Sequence, residues 1–599
     1  MRPVILLLVL NIAAVTAFAQ PELEPWGNLT GIRVDGQLMP FETSLHFTGP
    51  NGLTQTTAKE RQNPRYTRQG NTQFVYTHLD SLYFVEKVEE LGRGEARITI
   101  TCTAHADIHD QHVFFSVIRA KRQWLKIASP GHPVLRDTVE GTQLRTDIPI
   151  ANGDLQKGDS SQLTFTITVN GTIDHQPVHL SLNTAKPGRP FDGLGGNFRI
   201  QNTKTDPQVI AYCLDHLRVT WGRVELPWRF WQPVKDSDPL DSALAGKLNP
   251  AVQRAVYMAG TLAERKIPLI VSAWFPPEWA VEGPLRMRPG PDHIWGNALN
   301  HANTDAIYKS IADYLVYLKQ QFQVDVRYFS FNESDLGINV RQTALEHDEL
   351  IKGLGAYFAS RGLNTRVLLG DNSDATTWSF IGPAMNDPAA RPYISMISFH
   401  SWRGFDTATL QKWADAATQL HVPVIVGEGS IDAAAWHYPA IFQEPAYALK
   451  EISLYTRLMA VCQPLSILQW QLTSDYSLLA GGGIFGDTSA LHPTQRFWNL
   501  KQLAMTPPGL FAMPITASRP DIAVAAVGDN KKQSYAIHIV NNGATRQMIL
   551  TGLPAGVELL RRYTTSQTKG AEEGASVHVS GGQATFRVES QSFVTLLDP

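Results

Sequence analysis

Residues 303–333 read NTDAIYKSIADYLVYLKQQFQVDVRYFSFNE, and the change of rhythm inside this stretch decides the fold class. Over 303–322, Ile307, Ile311, Leu315 and Leu318 recur at three- and four-residue spacing, the pattern of a helix with one buried face. From 326 to 333 the run VRYFSFNE is short and mostly apolar, as a buried strand is. The same alternation extends in both directions. Further strand candidates lie at 191–198, 216–224, 268–275, 366–372, 394–402, 423–429 and 466–472. Eight strands with helices between them predict a closed (β/α)8 TIM barrel rather than an open doubly wound sheet.

On either side the period drops to two. Runs such as FETSLHF (41–47), ARITITCTA (96–104) and LTFTITV (163–169) alternate apolar and polar residues, which predicts a β-sandwich before the barrel. IAVAAVG (522–528), SYAIHIVNN (534–542) and SFVTLL (592–597) predict a second, smaller sandwich after it. KPGRP (186–190) reads as a hinge. The expected organisation is a signal peptide over 1–19, an N-terminal β-sandwich over 20–185, a catalytic barrel over 186–505 and a C-terminal β-sandwich over 506–599.

The leader MRPVILLLVLNIAAVTAFAQ has a positive Arg2, an apolar middle and an Ala17-Phe18-Ala19 cleavage signature. It predicts export, secreted or periplasmic, with cleavage after Ala19. No later run is apolar enough to span a membrane. Charge is nearly balanced, 52 Lys+Arg against 55 Asp+Glu, and no basic stripe marks a nucleic-acid partner. The three cysteines are widely spaced, too few and too scattered for a disulfide framework or a cysteine zinc site. No H-E-x-x-H, G-x-G-x-x-G or phosphate-binding loop follows a strand, so neither a metal nor an organic cofactor is expected.

Active sites of such barrels lie at the C-terminal ends of the strands. The fourth candidate ends in Asn332-Glu333 and the seventh in Gly427-Glu428-Gly429. Two carboxylates there suit glycoside hydrolysis, in which one group attacks the anomeric carbon and another protonates the leaving oxygen. Asn332 is placed to hold a sugar hydroxyl. Arg223, near the end of the second candidate, can keep a carboxylate ionised. His400, Trp402 and Trp470 end the sixth and eighth candidates, and tryptophans at 228, 231, 274 and 279 also fall at strand ends or in the following loops. Rim tryptophans can stack on the C–H face of a sugar.

These residues resemble clan A glycoside hydrolases, and most closely glycoside hydrolase family 30. FDGLGG (191–196) is similar to that family's opening dGfGG motif, and SAWFPPEW (272–279) to its SPWSPPaW segment. Trp470 and the glycine run 481–483 resemble its eighth-strand region. The resemblance covers about 190–599 and implies Glu333 as acid/base, Glu428 as nucleophile and a side β-sandwich after the barrel. Ser334 stands where the family has proline, and Trp402 where many clan members have a tyrosine touching the nucleophile. With the extra N-terminal β-domain, these departures mark a divergent branch. The expected function is a secreted retaining β-glycoside hydrolase acting on a β-linked oligo- or polysaccharide. The alternative is a non-catalytic carbohydrate-binding protein on a decayed barrel.

Overall fold

In a computed structural model, residues 20–129, 136–290 and 294–598 are described. The expected signal peptide, 1–19, lies outside the described residues. The chain forms two compact units, divided between Asp174 and His175.

The first unit is all antiparallel β. A five-stranded sheet is centred on Ile108–Ala120 and a six-stranded sheet on Glu95–Ala104 and Leu82–Gly92. Alternate residues point inward along these strands, as in Leu82, Phe84, Glu86 and Val88, because successive side chains of a strand face opposite ways. Phe115 from one sheet and Phe165 from the other meet at 5.3 Å.

The second unit contains a closed barrel of eight parallel strands. We number these β1 (Gly193–Phe198), β2 (Gly222–Pro227), β3 (Leu269–Trp274), β4 (Val326–Phe331), β5 (Arg366–Asn372), β6 (Ile394–His400), β7 (Val424–Gly429) and β8 (Ser466–Gln469). Helices return the chain between most strands. Thr304–Phe322 buries Ile307, Ile311, Leu315 and Leu318 as its spacing requires. Ala344–Ser360 begins with a reciprocal cap between Thr343 and Glu346, which satisfies backbone donors at the helix start.

Inward-facing residues change character along the barrel axis. Ile270, Leu368, Met396, Ile425 and Leu468 form an apolar plug. Two residues further along their strands stand Ser272 and Ser398, then Trp274 and His400. The plug excludes water below and the polar layer supports the mouth above.

Three expectations need correction. The second strand begins at Gly222, because a helix, Asp206–His216, occupies the start of the 216–224 candidate; Arg223 is therefore the second residue of β2, not near its end. Val178–Leu182, expected in the first β-domain, pairs with Arg546–Thr551 and Ile515–Ala517 in the C-terminal sandwich. The boundary thus falls before that strand, not at 185. Within the expected hinge, Pro190 pairs with Phe511, so the KPGRP segment ends in the same sandwich.

Candidate active site

β4 and β7 deliver their carboxylates to one point. Nδ1 of His400, at the end of β6, lies 2.9 Å from Glu333 Oε1 and 3.3 Å from Glu428 Oε2. One donor atom from each of Glu333, His400 and Glu428 falls within 4.8 Å of the others. His400 is fully buried, and its Nε2 reaches Asp371 Oδ1 at 3.2 Å.

Arg223 joins the cluster from β2. Its guanidinium donates to Glu428 Oε1 (2.8 Å), Asn197 Oδ1 (2.9 Å), Asn332 Oδ1 (2.6 Å) and Asp371 Oδ2 (2.9 Å). Although Arg223 sits low on its strand, the length of the side chain carries the charge to the layer of Glu428. Asp371 also accepts from Ser330 and Ser398 hydroxyls at 2.7 and 2.9 Å.

Backbone geometry is specialised here. Glu333 and Asp371 both have positive φ, 47° and 62°, a region that costs a non-glycine residue about 1 kcal/mol or more. The Glu333 N–H donates to the Asp371 carbonyl, which ties the two strained positions together. Gly427 is needed for a different reason. A Cβ there would lie 2.5 Å from Asp371 Oδ1 and 2.6 Å from Ser398 Oγ. Only glycine leaves space for the charged support packed under Glu428.

The electrostatics follow from burial and these contacts. Burial draws the His400 imidazole down, but Glu428, Asp371 and Glu333 outweigh it and hold the pKa at about 10. Burial pushes Glu428 up, to about 7, against the pull of His400 and Arg223. Asp371 is also buried, yet Arg223 and His400 hold it well below the usual carboxylate range. The two cations, Arg223 and His400, thus face Asp371 and Glu428 across the buried cluster.

The sequence-predicted residues divide into two groups. Glu333, Glu428, Asn332, Arg223 and His400 are brought together. His400, expected to contact substrate, is instead covered and bridges the carboxylates. The tryptophans separate. Trp274 is partly exposed and stacks on Trp470 at 5.6 Å and 11°; the Trp470–Gln471 peptide is cis. Trp228 and Trp231 are core residues hydrogen-bonded to Ser310. Trp402 is buried and packs near Tyr476, and Trp279 donates to the Gln232 carbonyl and meets Trp228 edge-on. Trp228, Trp231 and Trp402 are corrected from rim to packing positions because they are buried, and Trp470 is buried as well, whereas Trp279, like Trp274, is half-buried. Sequence reading missed Asp371, Asn197, Ser272, Ser330 and Ser398. Asp371 had a usable signal, since it lies at the end of a barrel strand in RVLLGDN (366–372).

No protein-family model matches the sequence, and no curated protein does. Solved structures do match. A family 30 endoxylanase from Clostridium papyrosolvens aligns at TM-score 0.56 with 15% identity, over 71% of this chain and 100% of that one. A family 30 subfamily 8 xylanase from Clostridium acetobutylicum gives 0.55 and 14%, over 70% and 100%. A conserved exported protein from Bacteroides fragilis gives 0.53 and 11%, over 70% and 99%. The fold, a TIM barrel with flanking β-structure, is one that solved family 30 xylanases share.

Proposed function

We propose that this chain is a secreted retaining β-glycoside hydrolase acting on β-linked oligo- or polysaccharide. The observation that carries the reading is the pair Glu333 and Glu428, with carboxylate oxygens within 4.8 Å of each other across the barrel mouth. That spacing suits double displacement, in which the carboxyl groups stand about 5–5.5 Å apart; inversion needs a wider gap to admit water.

Glu428 attacks the anomeric carbon. Arg223 and His400, both cationic, stabilise its anionic form and orient its two oxygens. Glu333 gives its proton to the departing oxygen and then takes one from the water that releases the sugar. His400 fills the role for which many clan members use a tyrosine hydroxyl, since Trp402 has none to offer. Asn332 keeps a buried amide nitrogen without a protein partner. It is a free donor beside the carboxylates, suited to a sugar hydroxyl whose hydrogen bond tightens in the transition state. Trp274, half-exposed with the buried Trp470 stacked against it, supplies the apolar platform.

We read the Glu333–His400–Glu428 trio as sharing protons rather than binding a metal, because one imidazole nitrogen already faces both carboxylates. Undiminished activity after chelation is the expected result. The decayed-barrel alternative is disfavoured by the complete set of carboxylates and their charged support. The test is turnover of a panel of β-linked polysaccharides, with the first-formed anomer followed by NMR. A β product supports the reading. An α product, or no hydrolysis across the panel, would overturn it.

A further inference from the structure

Glu333 stands past the end of β4, in a turn rather than in a strand or helix. Its φ is positive, and its carbonyl accepts the N–H groups of Leu336, Gly337 and Ile338 at 3.2, 2.9 and 3.2 Å. The next residue is Ser334, whose φ no ring fixes. A displacement of about 1 Å from productive geometry can cost about 10²-fold in rate, so a turn that carries an acid/base needs an anchor.

Asp335 connects this turn to the one that follows β5. Its Oδ1 accepts the Ser373 N–H at 2.9 Å, and its Oδ2 accepts the hydroxyls of Ser373 at 2.8 Å and Thr377 at 2.7 Å. Asn372 donates to the carbonyl and hydroxyl oxygens of Thr377 at 2.9 and 3.0 Å. That leaves the Thr377 hydroxyl hydrogen to be given, and Asp335 lies nearer to it than the Asp374 carbonyl at 3.1 Å. The two turns meet a second time where the Glu333 N–H donates to the Asp371 carbonyl at 3.2 Å. Asp371 in turn holds Arg223 and His400. The acid/base is thereby tied to the same support that orients Glu428.

A carboxylate is a costly choice for a passive tie in this place. All three of its donors are neutral, and among the described residues no lysine or arginine pairs with it. Burial pushes the Asp335 carboxyl above the ordinary carboxylate value, and the nearby Glu333 carboxyl adds to that push against the hydrogen bonds from Thr377 and Ser373. An uncharged side chain would close a structural turn without that cost. Only a two-oxygen acceptor takes an N–H and two hydroxyls at once.

We propose that Asp335 is a positioning residue for the acid/base, a clamp that holds the Glu333 carboxyl in line with the departing glycosidic oxygen. This rests on the glycosidase reading, with Glu333 as acid/base. Asp335 acts through Glu333 alone. Among the described residues it makes no hydrogen bond to Arg223, His400 or Glu428, so nucleophilic attack does not depend on it.

The test measures kcat/KM of the full chain on aryl glycosides built on the sugar that the substrate panel identifies, with leaving groups from phenol to dinitrophenol. Phenol needs a proton from Glu333 and dinitrophenol does not. Asp335→Ala is expected to lower kcat/KM at least about tenfold on the phenyl glycoside, a share of the roughly 10²–10⁴-fold that general acid catalysis supplies, and less than about twofold on the dinitrophenyl glycoside. Thr377→Val removes one donor at a half-buried position, so it carries the test where Asp335→Ala fails to fold; the same selectivity is expected at about threefold, the scale of one hydrogen bond. In a Glu333→Gln background, with no proton left to position, adding Asp335→Ala should cost nothing further. Equal losses on both glycosides, a further loss in the Glu333→Gln background, or parent-like kcat/KM throughout would each overturn the proposal and leave the glycosidase reading standing. A parent chain that hydrolyses neither the panel nor the aryl series would sink that reading, and this proposal with it.

Discussion

Two buried glutamates in this chain have opposite settings. Glu86, inside the first unit, is completely buried, and neither of its carboxylate oxygens meets a hydrogen-bond donor among the described residues. Burial alone acts on it and pushes its pKa well above the normal value. Glu428 is equally deep, but Arg223 touches one oxygen and His400 the other. Burial without partners yields a neutral acid. Burial with two cations limits the rise to about 7, so that the anion is within reach near neutral pH and held in place, which is what a nucleophile needs. The difference therefore lies in the support beneath the carboxylate, not in its depth.

The strongest way to break this comparison is to neutralise each glutamate. Glu428→Gln is expected to lower turnover of natural substrate by about 10³-fold or more. Glu333→Gln should do the same for natural substrate, yet on an activated aryl glycoside it should still form the glycosyl-enzyme and be rescued by azide. Equal behaviour of the two variants in azide would refute the assigned roles. Stability should move the other way. Burial holds the Glu428 pKa at about 7 in the folded state, above the ordinary 4.5. The folded state therefore holds a proton that the unfolded state has released between those values, and stability falls as pH rises through that window. Glu428→Gln removes that loss. Its advantage over the parent should be absent below pH 4.5 and reach about 3 kcal/mol above pH 7, as read by denaturant titration at several pH values.

Asp371→Asn attacks the support instead. It leaves Arg223 and His400 facing one anion fewer, and breaking a buried charge pair costs about 3–5 kcal/mol. Its stabilising charge is present above the unfolded carboxylate pKa, so the loss should be visible at neutral pH. Displaced support should also lower kcat by about 10²-fold. A variant with normal kcat would show that the cluster does not depend on it.

Trp274→Ala should raise KM by about tenfold, the scale of one lost aromatic contact, with a smaller change in kcat and Tm. A collapse in Tm with unchanged KM would make it a packing residue. The smallest effect on activity belongs to Glu86→Gln, which should leave turnover unaltered. It should stabilise the first unit at pH 8, because the cost of ionising a buried, unpartnered acid disappears. A stability loss at that pH would mean that Glu86 is charged and paired after all.

The amino-acid pattern carried the barrel well, because each β/α unit is local. The fifth candidate, 366–372, coincides with β5. The weaker places are those that depend on distant partners. Val178–Leu182 alternates like the strands before it, but its neighbours lie more than 300 residues away in the chain. Glu333 and Glu428 were readable because strand ends in a barrel face the mouth. The tryptophans were not, since position relative to a strand end does not reveal which way a ring turns. His400 showed the same gap. Its place on β6 was plain, but its link between two carboxylates depends on Gly427 leaving space and on Asp371 beneath it.

The central claim is that Glu428 forms a covalent bond to the sugar while Glu333 handles the proton. A 2-deoxy-2-fluoro glycoside with an activated leaving group, matched to the sugar identified by the substrate panel, tests it directly. Intact-mass analysis and peptide mapping should show one sugar per chain, attached at Glu428. Labelling at Glu333, or no stable adduct on an enzyme that turns over the parent sugar, would contradict the account.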